Sequence, residues 1–170
     1  NPSNIGLLGK GRINDFRALT VISPSIRNQN LNVVGNTNGS RLGGDTLKLF
    51  LDIKNFLSPA SGLLINLSSS NGNVELLDNQ VNAGTLNTLE NKPIGPFRVY
   101  IKPGVLDNEE VYFRVDYASN GNAYTDFEYF KVTVSLDYQT IAVNKVISTI
   151  TSNGRVGFVD EDGTIGTGFV

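Results

Sequence analysis

Asp116, Asp126 and Glu128 come from adjacent predicted strands that could bring them near one another. Two carboxylates flanking a glycosidic bond can hydrolyse it, one as acid and the other as base or nucleophile. Nothing around these three marks a cleft or an apolar pocket that would raise a pKa, so they read as a solvated strand face. Asp160 and Asp162 stand two apart, with Gly163 after them, as in a fragment of an Asp-rich cation loop. No downstream acid closes that loop, and Asp-Gly is also a favoured hairpin turn. A third group is aromatic: Tyr100, Tyr112, Tyr117, Tyr124, Phe127 and Tyr129. Tyr100 and Tyr112 fall in the polar register of their strands. Exposed rings there can stack on sugars or form an interface, or simply stabilise the sheet as cross-strand pairs.

Other chemistry is excluded by composition. The 170 residues contain no His and no Cys. A Ser-His-Asp site, a thiolate nucleophile and a zinc-thiolate site cannot be built from them. No Ser-x-x-Lys occurs, which disfavours Ser-Lys catalysis. The net charge is −2, from 14 basic and 16 acidic residues, without a run of either sign. No nucleic-acid partner is expected, because phosphate recognition needs a basic face. No apolar run approaches the ~18 residues of a membrane span. The chain has no Met, so it is expected to be a processed or excised piece of a longer product.

The elements that must position these residues are strands. "DTLKLFLDIKNF" sets Leu47, Leu49, Leu51 and Ile53 against Lys48, Phe50, Asp52 and Lys54, the period-two pattern of a half-buried strand. "LNVV", "GLLINLSSS", "VELLDNQVN", "PFRVYIKP", "EVYFRVDYA" and "FEYFKVTVSLDY" continue in the same way, with turn residues between most of them. Asn71-Gly72-Asn73 reads as a hairpin turn. The 21 Asn and 18 Gly suit a loop-rich β protein. The fold class is therefore all-β: an immunoglobulin/fibronectin-like β-sandwich with a short N-terminal helix and a C-terminal β-hairpin/ribbon. The helix would start at Asn14, a capping residue with Asp15 in the first turn. At about seven residues it is too short to stand alone. Its apolar residues, with Ile13, Phe16 and Leu19 the candidate contacts, must pack on something.

"GKGRINDFRAL" (residues 9–19) resembles the C-terminal end of the catalytic domain of subtilisin-like serine peptidases, where a G-x-G-x-[IV]-N segment leads into the last helix. Gly9, Gly11, Arg12, Ile13, Asn14, Ala18 and Leu19 match, and Asp15 departs from the usual small residue. The following sandwich is similar to β domains behind such catalytic domains in secreted peptidases of Bacteroidetes-type bacteria. The resemblance implies three parts: residues 1–20, the tail of a subtilisin-like domain; 21–138, the immunoglobulin-like sandwich; 139–170, the start of a further β module or an appended hairpin. It brings no catalytic residue onto this chain.

Related secreted sandwiches carry a D-x-N-x-N-G…P-G-E calcium loop before the long strand. Aligned on that strand, Asn36 and Asn38 fall at ligand positions and Asp45 at the closing acid. Val34 stands where the first Asp would be and Gly43 where the Pro would be. One carboxylate is weak for calcium, a hard cation, and a Gly/Asn loop without an ion is the plainer reading, so no cofactor is expected and calcium is the one candidate. Asp45-Thr46-Leu47 also looks like the O-glycosylation sequon of such proteins, although a strand-initial Asp-Thr accounts for it.

The resulting expectation is a non-catalytic accessory domain of a secreted subtilisin-like peptidase, partnered by the catalytic domain of the same polypeptide. The alternative is a glycan- or protein-binding adhesin-type module of a bacterial surface protein.

Overall fold

The computed structural model describes residues 22–35 and 41–136, together with strands between residues 138 and 168. The strands are β1 (Ile26–Val34), β2 (Thr46–Asn55), β3 (Ala60–Ser68), β4 (Val74–Asp78), β5 (Gln80–Leu86), β6 (Asn91–Ile101), β7 (Glu109–Ser119) and β8 (Tyr124–Val134). Two antiparallel four-stranded sheets result, in the orders β1-β2-β6-β4 and β5-β3-β7-β8. Their inner faces share one core, so the chain is an all-β sandwich. The sets β1-β2-β6 and β3-β7-β8 fall where immunoglobulin-like sandwiches place strands A-B-E and C-F-G. The helix expected from Asn14 lies outside the described residues.

The alternating strands bury the faces that their periodicity assigns. Leu47, Leu49, Leu51 and Ile53 of β2 meet Leu63, Ile65 and Leu67 of β3, Phe97, Val99 and Ile101 of β6, and Val111, Phe113 and Val115 of β7. Phe113 and Phe130 stack at 5.4 Å between centroids.

Three local readings are corrected. "VELLDNQVN" is two strands: β4 pairs with β6 in one sheet, and β5 pairs with β3 in the other. The chain changes sheets at Asn79, where two short edge strands each find a different partner. Asn71-Gly72-Asn73 is consequently not a hairpin turn, because β3 and β4 belong to opposite sheets. The strand read as beginning at Pro96 begins at Asn91. Pro93 and Pro96 fit because β4 covers only the stretch from Arg98 to Ile101, leaving the first half of β6 with β2 as its one partner. Between them sits Gly95, at φ 126°, in a bulge; a Cβ there would lie 2.6 Å from the Leu49 carbonyl oxygen.

Beyond the sandwich, β9 (Tyr138–Val143), β10 (Val146–Thr151), β11 (Val156–Val159) and β12 (Ile165–Gly168) form an antiparallel meander in chain order. The C-terminal ribbon expected from the sequence is thus a sheet of four strands, with β9 on its β10 edge.

Candidate functional site

β1 and β8 are edge strands of opposite sheets and lie on the same side of the sandwich. A polar latch joins them. Arg27 on β1 reaches Asp126 at 2.6 Å and Glu128 at 3.7 Å. The Asn28 amide donates to Glu128 Oε2 at 2.8 Å, and the Tyr117 hydroxyl donates to the same oxygen at 3.0 Å. The Tyr124 hydroxyl oxygen accepts from the Ile26 amide at 3.0 Å and lies 3.4 Å from Asp126. Burial works against the Arg27 charge, but the hydrogen bond and charge of Asp126, with Glu128 behind it, outweigh burial and raise its pKa. Tyr117 is pushed far up by burial and then by the Glu128 charge; burial likewise raises Tyr124.

The three carboxylates do not assemble as a catalytic group. Asp116 pairs in register with Phe127, on the outer face of its sheet, whereas Asp126 pairs with Tyr117, on the inner face. Asp116 is held by Arg114 through 2.6 and 2.9 Å contacts, while Asp126 and Glu128 face the seam. The solvated strand face expected for all three holds for Asp116 alone.

The aromatic group divides in a similar way. Tyr117 and Tyr124 are buried inward. Tyr100 is on the outer face of the first sheet and Tyr112 on that of the second, so they present no common surface. Tyr112 shares its face with Arg114, Phe127 and Tyr129, where the Arg114 guanidinium sits 4.4 Å from the Phe127 ring centre and Phe127 meets Tyr129 edge-on at 5.8 Å.

Asp45 closes its own turn: Oδ2 accepts from the Leu42 amide at 2.9 Å, and its backbone N–H donates to the Leu42 carbonyl at 3.0 Å. Asn36, Asn38, Asp160 and Asp162 lie outside the described residues, as do Ile13, Phe16 and Leu19.

Two polar nodes carry no signal in the sequence beyond their residue types. Asn55, fully buried, ends β2 and ties together the loops of one pole. Glu109 does the same at the other pole. Its carboxylate accepts from Asn71 Nδ2 at 2.8 Å and from Asn73 Nδ2 at 3.0 Å, and these bonds hold its pKa below the ordinary glutamate range. A depressed carboxylate pKa contributes stability above its unfolded value, and loses it as pH falls through the folded one. The turn between β3 and β4 should therefore loosen in acid. The protection factor of the Leu106 amide, whose N–H also points to Glu109, should fall below the unfolded value, and Glu109→Gln should abolish that fall. An acid-independent protection factor at Leu106 in the native protein would remove Glu109 from this role.

The fold and its latch define an antiparallel two-sheet β-sandwich closed along one side by an ionic seam. Compared with known proteins, the chain matches no family model and no curated sequence.

Proposed function

We propose that the chain is a non-catalytic accessory sandwich of a secreted or cell-surface subtilisin-like serine peptidase, bracing the end of the catalytic domain and spacing it from later modules. The observation that carries the spacing role is where the chain meets the two poles. The start of β1 is pinned beside the start of β8 by Ile26 and Arg27. β8 then runs 11 residues, roughly 35 Å, to the opposite pole. There Ser135 donates to the Arg41 carbonyl at 2.6 Å and accepts from the Asn108 amide at 2.9 Å. A module fastened at both ends, with its ends at opposite poles, holds its neighbours apart at a fixed distance. The peptidase part rests on residues 9–19. The test is the coding sequence in front of Asn1. An in-frame domain with Asp, His and Ser peptidase motifs, ending at residues 9–14, is the expected result. Another sandwich or a signal peptide directly before Asn1 would remove the peptidase from the proposal.

The second reading, a glycan- or protein-binding surface module, is favoured by the face of Tyr112, Arg114, Phe127 and Tyr129. It replaces the Tyr100/Tyr112 pair as the place to look for a ligand.

A further inference from the structure

We propose that Lys92 guards the free edge of β5 and holds off strand pairing with a second copy of this chain. β5 ends its sheet, and among the described strands β3 is its one ladder partner. An edge strand presents unpaired amides and carbonyls, a ready template for another strand. The Lys92 ammonium donates to the Ala83 carbonyl at 2.5 Å and lies 3.5 Å from the Thr85 carbonyl. Two carbonyls spaced in this way are the acceptors that an incoming strand would take.

Lys92 stands where the strand pattern calls for an apolar residue. It pairs in register with Ile53, which is fully buried, and Ile94, next in the same phase, is buried too. Directly opposed residues of an antiparallel pair share a face, so Lys92 starts from the inner face of its sheet. Its ammonium then crosses from β6 to β5, the strand of the other sheet packed against it. β4 pairs with β6 only from Arg98 to Ile101, so nothing in that sheet covers the crossing. A charge turned inward at the margin of a sheet is one of the devices that blunt an edge.

The rest of β5 points the same way. Asn82 Oδ1 accepts from the Gly84 amide at 2.9 Å. Gly62, at φ 57°, and Gly84, at φ 69°, sit at the register shifts that bend the β3–β5 pair. The other edges have protection of their own. β4 is only five residues long. The edge amides of Ile26 and Asn28 on β1 are taken by Tyr124 and Glu128 of β8. At β5 that part falls to Lys92. A second copy is the partner it excludes, because two copies present the same edge to each other and can pair about a two-fold axis. The inference rests on neither functional reading above, and its test uses this chain alone.

Lys92→Met keeps the unbranched stem and removes the ammonium. Sedimentation of the full chain over a wide range of concentration should show self-association about tenfold tighter, or more, in Lys92→Met than in the native chain. Exchange at the Ala83 and Thr85 amides should slow as concentration rises in the variant and stay constant in the native chain. Lys92→Arg, which keeps a cation at the seam, should behave as the native chain does. Lys92→Gln, too short to cap both carbonyls, should associate as the methionine variant does, and it carries the test if that variant does not fold. The guard is refuted if the folded variant associates within about threefold of the native chain, if Lys92→Arg associates as tightly as Lys92→Met, or if association leaves exchange at Ala83 and Thr85 unchanged.

Discussion

Asn55→Leu is expected to destabilise the sandwich by about 3 kcal/mol. Asn55 is fully buried. Its Oδ1 accepts from the Ser25 amide at 3.0 Å and the Leu57 amide at 3.3 Å. Its Nδ2 donates to the Ser58 carbonyl at 2.7 Å and the Leu86 carbonyl at 3.2 Å. Leucine keeps the branched four-atom skeleton but its methyl groups are bulkier, so some overpacking adds to the polar loss. Water can reach the partners on the exposed Leu57–Ser58 loop. The Ser25 amide and the Leu86 carbonyl are left with less access, and each such orphan costs about 1–3 kcal/mol. In a domain of this size the melting temperature should fall by roughly 10 °C. Asn55→Asp separates the two halves of the node. It keeps the acceptor but turns a carboxylate oxygen toward two carbonyls, so it should be worse than leucine at neutral pH and recover in acid, where a protonated carboxyl can donate. Denaturant titration of the three proteins decides the matter. A loss below 1 kcal/mol for Asn55→Leu would mean that the three loops hold themselves without it.

The faces of the strands are legible in the sequence, and their partners are less so. Leu47, Leu49, Leu51 and Ile53 alternate with polar residues because one side of β2 meets the core and the other meets water. That alternation does not say which sheet a strand joins. β4 and β5 adjoin in sequence but face different partners, and only Asn79 lies between them. The proline-bearing start of β6 is hidden because proline argues against a central strand; the shortness of β4, a feature of another segment, makes room for it. The latch is half visible. The inward phase of Phe130, Val132 and Val134, extended backward, puts Glu128 and Asp126 on the buried side. Two acids there require a cation, but nothing local points to Arg27, about a hundred residues earlier.

Removing the cation from the latch should show how far the edge depends on it. Arg27→Met is expected to cost about 2 kcal/mol, below the 3–5 kcal/mol range for fully buried pairs because part of the guanidinium is in water. The loss comes less from the missing attraction than from what remains. Asp126 and Glu128, with side chains 17% and 22% exposed, would face each other's charge without the guanidinium between them. Arg27→Lys should recover only part of the stability, since a single ammonium cannot reach both carboxylates as the guanidinium fork does. The same cluster fixes the behaviour in alkali. Tyr117 and Tyr124 have folded pKa values raised above the unfolded value of 10.0, so their contribution is complete below that pH and is lost as pH rises beyond it. Stability should fall above pH 10.0, and tyrosinate absorbance from these two rings should appear only with unfolding. Glu128→Gln removes the second cause of the Tyr117 shift but leaves burial, so Tyr117 should still titrate late. Normal titration of every tyrosine in the folded chain, together with an Arg27→Met loss below 0.5 kcal/mol, would reduce the seam to a surface ion pair worth little to the fold.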